Sequence, residues 1–247
     1  MQGHVSILSV SPEAAAMIAS GGRISTMDGT ADEIYATSLS AGQEKNEKLI
    51  GKVLSSGHTS VLEHCYVNLS FENVSVLAEQ FLIEFRLASF TVKSRRYVNF
   101  SKAGYVSPVF TDNVQMAIFE RTVESLFGTY DVLEAAGVPK EDARFVLPYC
   151  FCSNFFCSMN ARELVHVMNE LAYGRGSRIP ELRALGESLF AQCEQQIPFL
   201  AVRKPEAYRQ SDAFCLRQVQ LLTSKAPVTV LAAPQDAEGL ICGAYQL

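Results

Sequence analysis

Apolar and polar residues alternate in two stretches of the chain, which is the period of a β-strand with one buried face. The first stretch is HVSILSV at residues 4–10, and the second is CYVNLSFENVSV at residues 65–76. Glu72 and Asn73 divide the second stretch in the way that turn residues do. We predict a strand at each stretch, the second of them in an antiparallel sheet.

Other segments carry apolar residues three or four positions apart, which is helical spacing. Pro12 suits a first helical turn, Gly57 ends a helix that presents the loop GHTSVLEH, and Gly137 with Pro139 ends a long helix. We predict helices over residues 12–19, 46–54, 77–85, 111–137, 160–172 and 179–197.

No internal repeat, low-complexity tract or linker divides the 247 residues. This organisation predicts one mixed α/β domain that spans residues 1–247. The last segment, residues 200–247, is apolar but rich in turn residues, and its pattern assigns no element.

Composition narrows the class of partner. Apolar residues make up 48% of the chain, which is enough for a packed core, and 21 Lys and Arg against 26 Asp and Glu give a net charge of −5. A nucleic-acid coat is therefore disfavoured, and any anion has to be bound by a local group of cations. Charged residues at only 19% suggest that a partner covers some apolar surface.

Neither a membrane span nor an export signal is apparent. The longest uncharged stretch near the middle, between Arg144 and Arg162, contains Pro148 and Asn154 and is too short and too polar to cross a bilayer. The N-terminus MQGHVSILSVSPE lacks the basic region and cleavage pattern of a secretory signal. We expect a cytoplasmic protein.

The 7 cysteines are an odd number, and only Cys150, Cys152 and Cys157 lie near one another. They have no CxxC pair and no histidine box beside them, so buried thiols are the favoured interpretation. A zinc site at Cys150 and Cys152 is the alternative, and a single CxC is weak support for it.

The densest cationic segment is FRLASFTVKSRRYVNF at residues 85–100. Guanidinium groups and hydroxyls alternate along it, and these are the donors that a phosphate accepts. The donors are Arg86, Lys93, Arg95 and Arg96 with Ser89, Thr91 and Ser94, followed by Tyr97. A solvated basic loop is the alternative interpretation.

Histidines mark two further places. His58 and His64 bracket GHTSVLEH with Glu63 beside the second, a set that could move protons or bind metal, although structural capping explains it as well. In the predicted helix at 160–172, Arg162 and His166 share one face, and a buried, hydrogen-bonded histidine is again the alternative.

Four blocks in order, GHTSVLEH, RLASFTVKSRRY, ARFVLP and NARELVHVMN, resemble the flavin-dependent thymidylate synthase family, also called thymidylate synthase complementing proteins. The resemblance covers residues 4–199 and includes GGRIST at residues 21–26. It implies an α/β fold with a central, largely antiparallel sheet flanked by long helices, and a homotetramer with active sites between subunits. It also implies an enzyme that uses FAD, NADPH and methylenetetrahydrofolate to methylate dUMP, with the flavin and no enzyme nucleophile carrying the chemistry.

The resemblance also implies site residues. Those expected at the flavin are His58, Ser60, Arg86, Asn160, Arg162 and His166. Those expected at the nucleotide are Gln80, Ser94, Arg96 and Arg144. Gln80 stands for a family glutamine whose literal equivalent, with a one-residue offset, is Phe81.

The chain departs from the family signature R-H-R-x-x-S-x-N-E-x-S-x-R-Y. It has Glu84, Phe85, Thr91 and Val92 at the first arginine, the histidine, the asparagine and the glutamate. The family's base-activating arginine falls on Leu171, and Arg175 or Arg178 is the available replacement. Because the phosphate candidates Arg96 and Arg144 are retained, binding is better supported than catalysis.

Three functions fit this pattern. The first is a flavin-dependent thymidylate synthase with a variant site. The second is an enzyme on the same scaffold that acts on another pyrimidine nucleotide. The third is a non-catalytic nucleotide- or flavin-binding subunit of a mixed tetramer.

Overall fold

The computed structural model describes residues 3–209 together with the backbone of residues 219–220 and 233–234. Its contacts group the chain into two units, Met1–Pro205 and Glu206–Leu247. The first unit holds every residue predicted for the site. The second contains a short antiparallel pair of strands, Val219–Gln220 with Ala233–Pro234, and most of its residues lie outside the described part. The single domain over residues 1–247 stays a prediction.

Four strands form the central sheet, and every neighbouring pair is antiparallel. They are β1 (His4–Val10), β2 (Tyr66–Ser75), β3 (Ala88–Val92) and β4 (Cys152–Asn160), in the order β1-β2-β4-β3. This arrangement confirms the predicted fold class. The turn expected at Glu72 and Asn73 is an irregularity within β2, where Asn73 has a φ of 54°.

Helices make up most of the remaining chain. The longer ones are α1 (Ala14–Arg23), α2 (Ala31–Ala41), α3 (Gln43–Ser55), α4 (Val76–Ile83), α5 (Asn113–Ala135), α7 (Ala161–Ala172) and α8 (Pro180–Gln196). The short ones are α6 (Lys140–Ala143) and α9 (Pro205–Tyr208). Short 3-10 helices lie at Thr59–His64, Arg144–Val146, Arg175–Arg178 and Pro198–Leu200.

The helices predicted from periodicity are present, with shifted ends. The first begins at Ala14 and continues to Arg23 instead of ending at residue 19. The segment GHTSVLEH, predicted as a loop, is mostly the 3-10 helix Thr59–His64, and it follows Gly57 in the left-handed region at φ 85°. The patterns gave no prediction for α2, β3 or β4, because short mixed segments carry little periodic signal.

The core lies between one face of the sheet and helices α1, α7 and α8. Phe71 of β2 and Phe155 of β4 face each other on that side, with ring centroids 4.7 Å apart. The opposite face carries polar residues together with Tyr66 and Phe156, which are 55% and 61% exposed.

Helices α7 and α8 pack closely because glycine replaces a side chain at their contact. A Cβ at Gly186 would lie 2.8 Å from the Cβ of Leu171, and one at Gly176 would lie 2.9 Å from the Leu171 Cα. Leu171 is fully buried in this contact. Leu171, at which the sequence resemblance expects the family's base-activating arginine, is therefore part of the core.

The buried-thiol prediction is confirmed for Cys65, Cys152, Cys157 and Cys193, whereas Cys150 is half-buried. Burial raises the pKa of Cys152 to about 11 and that of Cys157 and Cys193 to about 12. Cys215 and Cys242 lie outside the described residues. Within the described residues, no three His, Cys, Asp or Glu side chains are grouped to hold a metal ion. None of the helices there combines the length and the apolar run that crossing a bilayer requires.

Candidate active site

Residue Asn160 starts helix α7 and fixes its first turn. Its side-chain Oδ1 accepts a hydrogen bond of 2.9 Å from the backbone N–H of Glu163, as an N-cap does. The cap places Arg162 and His166 one helical turn apart on one face. Asn160, predicted at the flavin, is thus also a structural residue, and its amide oxygen is already used.

The loop after α3 reaches this helix through an ion pair. Arg162 Nη1 lies 2.5 Å from Glu63 Oε1 in the 3-10 segment Thr59–His64. His58 and Ser60, at the start of that segment, are exposed. His64 instead packs on α1, because a Cβ at Gly21 would lie 3.0 Å from its Cδ2. Both histidines are exposed, and His64 is the one that lies against α1.

The segment between α4 and β3 meets the same helix face. Phe85 is buried, and its ring contacts the imidazole of His166 edge-on at 5.5 Å between centroids. The next residue, Arg86, is exposed and forms no ion pair within the described part of the chain. Helix α7 is thus contacted by the Arg86 segment, through Phe85 and His166, and by the segment that begins at His58, through Glu63 and Arg162.

A second group forms around Glu141. Arg96 Nε donates a hydrogen bond of 2.8 Å to the Glu141 carboxylate, and Arg144 Nε donates one of 2.9 Å to the Glu141 backbone carbonyl. The Ser94 hydroxyl accepts a hydrogen bond of 3.2 Å from the backbone N–H of Arg96. The three residues predicted for a phosphate therefore converge within one chain, although Arg144 lies 50 positions after Ser94 in the sequence.

Glu79, a buried residue that the sequence patterns did not identify, holds the basic segment at residues 93–97 in place. Glu79 is 2% exposed, and its carboxylate lies 2.5 Å from Arg95 Nη2. It also accepts hydrogen bonds from the Ser153 hydroxyl and, at 3.2 Å, from Gln80 Nε2. Arg95 therefore points inward while Arg96 points outward. A carboxylate within the apolar helix VLAEQFLI is the sequence signal that could have identified it.

Arg175 makes its contacts at the end of α4 and is not part of the group around Glu141. Its Nη1 is 2.9 Å from Glu84 Oε2, and its guanidinium carbon lies 5.1 Å from the centroid of the Phe81 ring. Its backbone N–H donates a hydrogen bond of 3.0 Å to Glu170. Glu84, which stands at the first arginine of the family signature, therefore has an internal partner.

Two of the departing signature positions line a cavity of about 390 Å³ at the end of the sheet. Thr91 and Val92 border it from β3. Its other lining residues are Ser70, Phe71, Glu72, Lys93, Asn154, Phe155 and Phe156. The cavity joins the exposed sheet face to the segment that carries Ser94 and Arg96.

Residues 6–199 match the sequence model of the family described as thymidylate synthase complementing protein. The chain belongs to this family. The resemblance seen in the four sequence blocks is thereby confirmed, and the chain is a member of an enzyme family.

Two flavin-dependent thymidylate synthases are similar to this chain in sequence. The flavin-dependent thymidylate synthase of Geobacter sulfurreducens is 34% identical over 166 residues, which cover 66% of this chain and 70% of that protein. The flavin-dependent thymidylate synthase of Nitratidesulfovibrio vulgaris is 30% identical over 215 residues, which cover 83% and 79%. Both similarities extend over most of each protein.

A solved structure shows the same fold. It is the UMP/dUMP methylase PolB from Streptomyces cacaoi bound with 5-Br dUMP, with a TM-score of 0.67 and 22% identity. The match covers 81% of this chain and 93% of that one. The architecture of this family member is thus also found in a solved structure.

Proposed function

We propose that this chain is a flavin-dependent thymidylate synthase that methylates C5 of dUMP to give dTMP. It would take the one-carbon unit from methylenetetrahydrofolate and the reducing equivalents from NADPH, with FAD as cofactor. The observation that carries this proposal is the convergence of Arg96 and Arg144 on Glu141, beside Ser94. Membership of the family and the names of its relatives support the choice of reaction.

The charge of this group suits a phosphate monoester. Arg96 pairs with the Glu141 carboxylate, whereas Arg144 donates only to the uncharged Glu141 backbone carbonyl, so the two guanidiniums meet one carboxylate charge and the group retains positive charge. Guanidinium donors form charge-assisted, often bidentate hydrogen bonds with phosphate oxygens, and the Ser94 hydroxyl adds a further donor. Gln80, held by Glu79, is the proposed contact to the nucleotide from α4.

The chemistry of the neighbouring surface fits FAD. The exposed cation of Arg86 and the half-exposed one of Arg162 would supply charge for a diphosphate, and His58, Ser60 and His166 would supply polar contacts from α7 and the segments that contact it. Asn160 would contribute its amide N–H groups, since its oxygen caps α7. When bound, the flavin supplies the redox chemistry, and these residues bind and orient it.

The proposal extends to assembly and location. A homotetramer would cover the exposed apolar residues Tyr66 and Phe156 on the open sheet face. Arg175 would stand in for the base-activating arginine that Leu171 replaces. The enzyme would act in the cytoplasm.

An absorption spectrum of the purified protein, followed by a turnover assay, tests the proposal. We expect the flavin bands in the near ultraviolet and blue, and conversion of dUMP into dTMP that depends on NADPH and methylenetetrahydrofolate. A colourless protein that takes up no added FAD would refute the proposal. The variant Arg203→Gln, which removes a cation bound to Glu187 and Glu194 away from these groups, serves as the control for flavin content.

A second candidate is an enzyme for another pyrimidine nucleotide. Val92 at the cavity and the burial of Leu171 favour it, because two polar positions of the family signature are apolar here. The solved structure with this fold is named a UMP/dUMP methylase, so UMP is the first alternative substrate. Thermal unfolding with a panel of nucleotides separates the two, since a bound ligand raises the unfolding temperature. Stabilisation by dUMP alone excludes the alternative.

A third candidate is a subunit that binds nucleotide or flavin without turnover. The pairing of Arg175 with Glu84 favours it, because a neutralised guanidinium polarises a bound base less. Co-purification with a catalytic relative would support this candidate, and turnover by the isolated homotetramer would exclude it.

A further inference from the structure

Two of the positions at which this chain departs from its family's signature, Glu84 and Phe85, belong to one contact network with Phe81 and Arg175. The rings of Phe81 and Phe85 lie edge-on, 5.8 Å apart between centroids. The guanidinium of Arg175 lies over Phe81 at 5.1 Å and donates to Glu84 at 2.9 Å, across 91 positions of sequence. By the resemblance, Glu84 stands for an arginine and Phe85 for a histidine, and Arg175 is an additional cation. Phe81 is the literal equivalent of the family glutamine that Gln80 represents with a one-residue offset.

The contacts fix the orientation of one guanidinium. An aromatic ring below a guanidinium attracts it by the cation–π effect, and a carboxylate at its edge forms a charge-assisted hydrogen bond. Phe81 and Glu84 supply these two contacts to Arg175. Its second amino nitrogen, Nη2, makes no hydrogen bond or ion pair within the described residues and is available to an acceptor.

The local charge indicates which kind of acceptor fits. Arg175 lies between two carboxylates, because Nη1 is 2.9 Å from Glu84 and Nε is 3.8 Å from Glu170. One cation with two anions repels a phosphate, whereas an uncharged carbonyl oxygen accepts a hydrogen bond there without a charge penalty. The group around Glu141 has the opposite balance. The two groups therefore differ in the part of a nucleotide that each can bind.

We propose that Glu84 and Phe81 are positioning residues that hold Arg175 against a carbonyl oxygen of the pyrimidine base. The three residues form a rebuilt base-binding subsite, which takes over from the buried position of Leu171. Glu84 acts only through Arg175, so its charge does not oppose ligand binding. This inference rests on the proposed function for the identity of the nucleotide, but it concerns binding and does not require turnover.

Calorimetric binding of two ligands tests it: dUMP, and deoxyribose 5-phosphate, which lacks the base. The variants are Glu84→Gln, Arg175→Lys and the double variant, with Glu187→Gln as the matched control. Glu187 lies on α8 and pairs with Arg203 at 2.8 Å, and its side chain is about as exposed as that of Glu84. Losing one hydrogen bond to a charged group weakens binding roughly tenfold or more.

We expect Glu84→Gln and Arg175→Lys each to weaken dUMP binding about tenfold and to leave deoxyribose 5-phosphate binding within about twofold. The double variant should bind dUMP no more weakly than Arg175→Lys, because one residue acts through the other. Glu187→Gln should change neither affinity.

Several results would overturn the inference. One is an equal change in the affinities for both ligands in Glu84→Gln, which would show that the carboxylate acts only through charge. Another is additive losses in the double variant. A wild-type protein that binds dUMP no better than deoxyribose 5-phosphate also overturns it. Failure of the proposed function appears differently, as absent flavin bands or absent turnover while the preference for dUMP and its loss in the variants remain.

Discussion

The Nε of Arg96 donates a hydrogen bond of 2.8 Å to the carboxylate of Glu141, a residue 45 positions further along the chain. Both side chains are about half exposed. Exposed ion pairs contribute about 0–1 kcal/mol, so this one is readily exchanged for another anion. In the proposed phosphate site, Glu141 therefore occupies the position that a phosphate oxygen would take.

Replacement of Glu141 should strengthen phosphate binding. In Glu141→Gln, Arg96 loses an internal anion that a ligand otherwise has to displace, and we expect the affinity for inorganic phosphate and dUMP to rise about threefold. Isothermal titration calorimetry measures both affinities. The control is Glu44→Gln, which breaks the exposed pair of Glu44 with Lys48 on α3. Unchanged or weaker phosphate binding in Glu141→Gln would argue against a site at Arg96.

Removal of either guanidinium should have the opposite effect. Arg96→Gln and Arg144→Gln each delete charge-assisted donors, and we expect dUMP affinity to fall between about tenfold and a hundredfold. The wild-type affinity should also decrease as salt rises, and this dependence should be shallower in both variants. Arg121→Gln is the control, because Arg121 donates to a carbonyl of its own helix much as Arg144 donates to Glu141. Equal affinities in all three variants would exclude the phosphate role.

Helices and strands could be predicted from the sequence where the periodic pattern of apolar residues extended over many positions. Helices α7 and α8 each bury a stripe of apolar residues, and the patterns located α5, α7 and α8 to within about two residues at each end, although α5 buries only Val123 and Tyr130. Strand β3 has only five residues, and its pattern gave no such signal. Strand β4 is apolar on one face and mixed on the other, and it lies in a segment whose composition indicated only burial.

For the candidate site, sequence similarity located the arginines but not their partners. Arg96, Arg144, Arg162 and Arg175 were identified by position, yet three of them pair with carboxylates that lie between 45 and 99 positions away. Such pairs depend on tertiary packing, which no local period encodes. The inward orientation of Arg95 also depends on Glu79 beneath it.

Breaking the buried pair of Glu79 and Arg95 should destabilise the fold. In Arg95→Met the Glu79 carboxylate, which is 2% exposed, loses its cation, and we expect a loss of about 3 kcal/mol in the free energy of unfolding. Urea denaturation followed by circular dichroism measures this quantity. The double variant Glu79→Met, Arg95→Met should recover much of the loss, because no uncompensated charge remains.

The control for this pair is Lys48→Met, which leaves Glu44 exposed to water on α3 and should cost less than about 0.5 kcal/mol. A similar small loss in Arg95→Met would mean that Glu79 is not held in the buried position that anchors the segment carrying Ser94 and Arg96.

Buried thiols should make the fold sensitive to alkali. Burial raises the pKa of Cys157 from an ordinary value of 9.0 to about 12, because the folded state favours the neutral thiol. Its contribution to stability is therefore complete below about pH 9 and is lost progressively as the pH rises towards about 12, since the unfolded chain ionises first.

In Cys157→Ala the decline of unfolding free energy between about pH 9 and pH 11 should be shallower than in the wild type by on the order of 1 kcal/mol per pH unit. The variant should also be less stable at neutral pH because of the cavity, so the slope and not the absolute value is the readout. Ser158→Ala, on the adjacent position of β4 with no titrating group, should keep the wild-type slope. Parallel slopes for Cys157→Ala and the wild type would show that the thiol is not held neutral by the core.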